Sequence, residues 1–460
     1  MQRQQRRRSR HERGGTISDL GLDFVLATGL FLALALLGGG SVGWTPAYML
    51  ATLIVIAAAV MLAWRTGFRT IACLPLAARF GLIGIAVLPL LQLVPLPPAL
   101  WQQLPGQELR LGTLSLAGLA DTWQPLSLEP ASTAITALLA AGFTVLTALL
   151  LELEARPFRR VMAVAAGVVV AGMAIGLLQV LNDGWPHLQI NRSSANLLGF
   201  QANKNHMALT IACAMVLVGL VVAKDLLGTR RGRVAAVAFA ALALVCIVAT
   251  NSRAGLALGG IAGLIVLADA MRQVPLRWRL AALALGALLI AAVVGSDVFR
   301  VVGDRVGDVD DDLRWSFLDW SWPLVARYWS TGSGFGSFAT LFAAHEQLAW
   351  VKPTYVNALH NDYLQLVLEG GVAGCAVLAL LVIGVLQSVA VWRTLPPGDP
   401  RRTEAVAAYV ILLLFALHSL VDYPLRRPAA AVFAALALAG VLRLWRPAAA
   451  PARPMRLEVE

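Results

Sequence analysis

Long apolar runs separated by short polar breaks make up most of the chain. They fall at about 21–40, 46–64, 76–94, 132–151, 161–181, 206–223, 234–250, 254–270, 280–296, 364–391, 405–423 and 428–445. Each is close to the ~20 residues a helix needs to cross the ~30 Å hydrocarbon core of a bilayer. A membrane β-barrel would alternate over segments of about 10 residues, and these runs are continuous. The expected fold is all-α: a polytopic membrane protein of about 12 transmembrane helices. One polar island, roughly Asp297 to Glu369, interrupts the pattern. The chain then divides into a basic N-terminus (1–20), nine spans (21–296), a large loop (297–363), three spans (364–445) and a tail (446–460).

Inside the island, Leu313, Phe317, Leu318, Leu324, Val325 and Tyr328 recur at spacings near three and four, which predicts a helix over Asp311–Trp329. Trp315, Trp320, Trp322 and Trp329 suit the headgroup zone, so this helix is expected to lie on the membrane surface. Pro323 is expected to kink it or end its first part.

Basic residues set the orientation. Arg65 and Arg69, Arg156, Arg159 and Arg160, Lys224, Arg230, Arg231 and Arg233, Arg272, Arg277 and Arg279, and Arg393, Arg401 and Arg402 fall in alternate gaps. With twelve spans they share one side with the arginines of Met1–Arg13, and the positive-inside rule makes that side cytoplasmic. Both termini are then cytoplasmic and the large loop lies outside. The stretch after Leu20 lacks a clear Ala-x-Ala cleavage site, so it is read as an uncleaved first span.

Composition agrees. Of 460 residues, 58% are hydrophobic and 14% charged, against about 45–50% and about 25% in soluble domains. The net charge of +11 would suggest nucleic acid in a soluble protein. Here the basic residues sit in short loops between spans, and no nucleic-acid partner is expected. Cys73, Cys213, Cys246 and Cys375 form no CxxC pair. All four read as small apolar packing residues.

Several residues could carry chemistry. Arg253 stands in Asn251-Ser252-Arg253-Ala254-Gly255, a charge in an otherwise apolar hairpin. Arg314 opens the surface helix, Arg192 and Lys204 precede the sixth span, and Arg426 and Arg427 close the last outer turn. Guanidinium forks match phosphate oxygens, so this group fits a lipid-linked phosphate or diphosphate; snorkelling or headgroup contact is the alternative for any one of them. His360, at the mouth of the tenth span, could take a proton near neutral pH, or serve as an interfacial helix-end residue. Asn361 or Asp362 could cap that helix. Glu369 is nine residues further on; a continuous helix would put it ~13 Å from His360 and on the opposite side. It is expected to support another helix or face an inner cavity. His418 and Asp422, four apart, share a face near the outer end of the eleventh span. The Gly332–Gly336 turn lacks the GK[ST] and the preceding strand of a phosphate loop. No HExxH or Ser-elbow motif occurs; a metal-free mechanism is favoured, and neither a metal nor a cofactor is expected.

In order along the chain come Gln201-Ala202-Asn203-Lys204-Asn205-His206, Ser252-Arg253-Ala254-Gly255, Arg314-Trp315, Gly332-Ser333-Gly334-Phe335-Gly336-Ser337-Phe338, His360-Asn361-Asp362-Tyr363-Leu364-Gln365, Glu369-Gly370-Gly371-Val372-Ala373-Gly374 and His418-Ser419-Leu420-Val421-Asp422-Tyr423-Pro424. This ordered set, over about 195–430, resembles the O-antigen ligase and O-antigen polymerase superfamily of bacterial inner-membrane glycosyltransferases. The resemblance implies a C-type glycosyltransferase architecture with its site at the periplasmic face. It implies an undecaprenyl-diphosphate-linked glycan donor, a lipid A core or growing polysaccharide acceptor, and inverting, metal-independent transfer. His360 would be the catalytic residue and Arg253 would hold the diphosphate. Arg192, Lys204 and Arg314 compete as its second cation, and Asn361, Glu369, His418 and Asp422 would support. Protein O-oligosaccharyltransferases share the superfamily, and a polysaccharide transporter or flippase is the non-enzymatic rival.

Overall fold

A computed structural model describes residues 21–40, 46–66, 69–186, 188, 196–272, 274–295, 309–348, 351 and 356–446. Arg192, the N-terminus through Leu20, the first part of the large loop and the tail after Arg446 lie outside the described residues. The described chain is almost entirely helical, with one two-residue antiparallel pair, Pro95–Leu96 against Gln124–Pro125. Among the described residues, six helical segments are long and apolar enough to cross a membrane: Pro130–Glu152, Ala155–Leu181, Lys204–Ala249, Arg253–Ala270, Asp362–Thr394 and Pro428–Trp445. Leu22–Leu37, Met49–Arg65 and Leu76–Leu91 are shorter apolar helices.

The 46-residue segment Lys204–Ala249 would be ~70 Å long if straight. It is not straight. The helix Lys204–Leu217 passes through a π-turn at Val218–Val222 into Ala223–Ala249, and Gly228 leaves helical geometry at φ 75°, ψ 169°. Its two halves fold back on each other. Gly232 lies so close to the first half that a Cβ there would sit 2.6 Å from the Ala223 carbonyl oxygen, and Ala249 returns to accept a hydrogen bond from Leu197 N at 3.0 Å.

Polar contacts sort the helix ends into two groups. At one end, Ala429 N donates to Gly38 O, Ala202 N to Gly39 O and Asp362 N to Ser419 O. Ser252 Oγ donates to Asn205 Oδ1 at that same end. At the other, Arg65 pairs with Asp23 at 3.1 Å, Arg159 with Asp225 at 2.9 Å, Arg443 with Glu404 at 3.2 Å, and Lys224 with Asp269. Thr70 bonds Glu152 there too. The most central elements are apolar all round, as fully enclosed helices must be. The spanning windows of Lys204–Ala249 and Pro428–Trp445 are each 94% buried, against 28% for Asp362–Thr394, which is therefore peripheral. Cys213 and Cys246 are buried as packing residues; Cys73 and Cys375 are exposed, so packing does not account for them.

Between 92 and 129 the chain folds over the end that holds His360. Trp101 is fully buried and its indole donates to Thr122 O at 3.0 Å. This lid carries Glu108 and Gly106 against the helix Val309–Tyr328, through Arg327–Glu108 at 2.6 Å and Tyr328 Oη donating to Gly106 O at 3.1 Å. That helix runs through Pro323 without ending. Phe317, Leu324, Val325 and Tyr328 pack it onto Phe338, Phe342, Leu359 and Leu368, while Trp322 and Trp329 stay exposed.

The glycine-rich turn is the joint beneath. Inside Asp362–Thr394 the helix breaks at Gly371, φ 59° and ψ −156°. The break leaves the Leu368 and Glu369 carbonyls to accept from Ser333 N at 2.9 Å and Gly334 N at 3.1 Å. Gln92 Nε2 adds a bond to Glu369 O, and Gln92 Oε1 accepts from Phe335 N. These donors are committed to protein acceptors, so the turn is a backbone interlock and not an anion cradle. A side chain at Gly371 would meet Gly332 N at 2.5 Å in a conformation that L-residues rarely adopt. Gly371→Ala should therefore cost about 1–3 kcal/mol, read as a lower unfolding temperature in detergent; an unchanged midpoint would show the interlock to be dispensable.

Candidate functional site

Three stretches of chain meet at one carboxylate. Asp422 follows the helix Pro400–His418 and has no exposed surface. Its Oδ2 accepts from Asn205 Nδ2 at 2.6 Å, and its Oδ1 from its neighbour Tyr423 N at 2.9 Å. Three imidazoles surround it. His360 Nδ1 is 3.4 Å from Oδ1, His206 Nε2 is 3.6 Å from Oδ1, and His418 Nε2 is 3.9 Å from Oδ2. These are ion-pair separations rather than close hydrogen bonds.

His360 is the partly exposed member, at 21% of its side-chain surface, while His206 and His418 are enclosed. It precedes the helix rather than opening it: φ is +57°, and Asn361 is the N-cap, its Oδ1 accepting from Leu364 N at 3.0 Å. His360 and Glu369 are therefore not on one continuous helix, and the ~13 Å separation expected for that case does not apply. Asn361 performs the structural task, and its Nδ2 also donates to Leu420 O. Phe317 lies nearly parallel to the His360 ring at 6.3 Å, and Tyr423 meets it edge-on at 4.9 Å. Tyr423 meets His206 in the same way at 5.1 Å, with Arg427 over its own ring.

Glu369 is fully buried and turned to a different partner. Arg426 Nη1 reaches it at 2.6 Å and Arg426 Nε lies 3.3 Å from Asp362. Gln365 Nε2 and Phe338 N complete the Glu369 carboxylate. Arg426, which the sequence grouped with the outward-facing cations, is thus engaged by two carboxylates.

Residues 238–379 match the family model described as O-antigen ligase. This match supports the resemblance of the chain to the O-antigen ligase and polymerase superfamily. With its apolar helices, the match is consistent with a multi-pass membrane protein that carries an O-antigen ligase-like domain. None of the curated proteins matches the chain. The matched O-antigen ligase segment contains Arg253, Arg314, His360 and Glu369; Asn205, His206, His418 and Asp422 lie outside it.

The remaining cations distribute as follows. Arg253 is exposed at the first position of Arg253–Ala270, behind the N-cap Ser252. Lys204 opens Lys204–Leu217, behind the N-cap Asn203. Both helix starts belong to the His360 end, since Ser252 bonds Asn205 and Asn205 bonds Asp422. Arg314 lies in Val309–Tyr328. Asn205, His206, Ser252, Phe317 and Tyr423 stood in the ordered motifs or in the helix pattern but were given no role in the site from sequence. The available signal was four polar residues, Asn203-Lys204-Asn205-His206, opening a buried apolar helix.

Arg426→Ala leaves two buried carboxylates without their cation and should cost about 3–5 kcal/mol. Thermal unfolding of the purified protein tests this; a loss below about 1 kcal/mol would mean that the clamp behaves as a surface pair.

Proposed function

We propose that the protein transfers a glycan from an undecaprenyl-diphosphate donor to a sugar hydroxyl of lipid A core or a growing polysaccharide. Transfer takes place at the periplasmic face of the bacterial inner membrane, is metal-independent and inverts the anomeric centre. The observation that carries this reading is a partly exposed His360 whose Nδ1 faces a buried carboxylate, Asp422, at the same end of the bundle as Arg253 and Lys204. The distribution of charge supports the face: the opposite end gathers Arg65, Arg159, Lys224, Arg272 and Arg443, as a cytoplasmic side should.

The chemistry follows from the orientation of the ring. Asp422 holds the Nδ1 edge, which leaves Nε2 to take the proton of the acceptor hydroxyl. The acceptor oxygen forms a bond to the anomeric carbon as the bond from that carbon to the diphosphate oxygen breaks. The electron pair leaves with undecaprenyl diphosphate, and the proton remains on His360. Asp422 stabilises the imidazolium so formed. Arg253, with Lys204, Arg314 or Arg192 as a second cation, offsets the growing charge on the leaving group. Because the diphosphate is already a good leaving group, no nucleotide is required.

His360→Ala should lower transfer by at least ~100-fold while the protein still inserts and purifies normally; transfer at the wild-type rate would remove His360 from the reaction. Glycan analysis of a deletion strain separates the acceptors. Ligation predicts lipid A without long chains and accumulated lipid-linked polymer, and polymerisation predicts single repeat units. Glycoproteins lacking glycan, with polysaccharide unchanged, would instead mean a protein acceptor.

A further inference from the structure

Two hydrogen bonds run through the interior of the site and join its two chemical halves. Ser252 Oγ donates to Asn205 Oδ1 at 2.7 Å, and Asn205 Nδ2 donates to Asp422 Oδ2 at 2.6 Å. All three side chains are buried, at 1%, 4% and 0% exposure. Ser252 also caps Arg253–Ala270, accepting from Gly255 N at 2.9 Å, so its hydroxyl is fixed by the helix that presents Arg253. Asp422 in turn faces His360. One carboxamide therefore stands between the cap beside Arg253 and the carboxylate behind His360.

The residue type suits this place. The amide oxygen accepts the serine proton while the amide nitrogen donates to the carboxylate, so a separate atom serves each partner. In a buried site, each of these groups would be costly to leave unpaired. Neither bond is local: Asn205 is 47 residues from Ser252 and 217 from Asp422. The backbone around Asn205 is held independently, by the Asn203 cap on Asn205 N at 2.8 Å, so the side chain is not needed to start its own helix.

We infer that Asn205 is a positioning residue that holds the Arg253 helix and the Asp422–His360 pair in one register. The donor diphosphate and the acceptor hydroxyl then meet at a fixed separation. This rests on the transfer reaction proposed above. Asn205 touches neither substrate in this scheme; it acts through Asp422 and Ser252.

The test compares two replacements in the full-length protein purified in detergent. Asn205→Ala removes both bonds. Asn205→Asp keeps the shape and the acceptor for Ser252 but sets a second carboxyl against Asp422. A space-filling role predicts that Asp is tolerated better than Ala. The strut predicts the reverse at neutral pH: a loss in kcat of roughly tenfold for Ala and on the order of 100-fold for Asp, with the donor KM changed less than about threefold for Ala. The charged and titratable groups around the new carboxyl are Asp422, His206, His360 and His418, with Lys204 and Arg253 at the adjoining helix starts.

Two facing carboxyls share a proton, which raises the pKa of the introduced group in the folded state. Its destabilising effect is therefore absent at low pH and grows as pH rises above the ordinary carboxylate range. Relative to Asn205→Ala, the Asp variant should unfold a few degrees lower at about pH 8 and recover most of that deficit at about pH 5. This measurement does not depend on any glycan. If wild type transfers nothing, the function fails while the melting profile still judges the strut. An Asp variant at least as active as the Ala variant, or a deficit independent of pH, overturns the inference. Should the Asp variant not accumulate, Asn205→Ala combined with Asp422→Ala decides: losses below the sum of the single variants support the strut, and additive losses overturn it.

Discussion

A carboxylate with no exposed surface, Asp422, is the constraint around which this end of the molecule is arranged. A buried charge is tolerated only with partners. Here they arrive from three stretches of chain: Asn205 and His206 from one helix start, His360 from the turn before another helix, and His418 and Tyr423 N from the stretch that holds Asp422 itself. Meeting that demand draws together the stretches on which the proposed transfer chemistry depends. The site follows from satisfying a buried acid as much as from presenting a base.

A second acid cluster does the supporting work. Arg426 spans Asp362 and Glu369, and it belongs to the same outer turn as Asp422. One turn thus orients the imidazole through Asp422 and anchors the helix behind it through Arg426. Below, the break at Gly371 frees two carbonyls for the Gly332–Gly336 turn. Irregular backbone of this kind is admissible in a membrane protein where protein encloses it and every freed group finds a donor. The Gln92 side chain, bonding both Glu369 O and Phe335 N, ties the early lid into the same joint.

Much of the fold was readable in advance because apolar run length is a local property. Pro130–Glu152, Arg253–Ala270 and Asp362–Thr394 each lie within a few residues of the runs that predicted them. The hairpin inside Lys204–Ala249 was likewise readable, since Lys224, Arg230, Arg231 and Arg233 interrupt it. His360, Glu369, His418 and Asp422 stood out as polar residues at the edges of apolar runs. Their pairing did not: i,i+4 spacing put His418 with Asp422, yet that is the longest of the three imidazole contacts, while His360 and His206 approach closer. Arg426 looked like a ligand-binding cation because sequence shows its charge but not the two acids that occupy it.

By itself the sequence determined the helices, the uneven placement of basic residues and the polar residues sited at helix mouths, since these depend on near neighbours and on the lengths of apolar runs. Only the tertiary structure decided which polar groups meet. Asn205 and Asp422 are 217 residues apart, and Gln92 and Glu369 are 277 apart. In an interior of low dielectric every such group must find a partner, but several candidates satisfy that rule equally well on paper. The choice among them is made by how the helices pack, which no local pattern encodes.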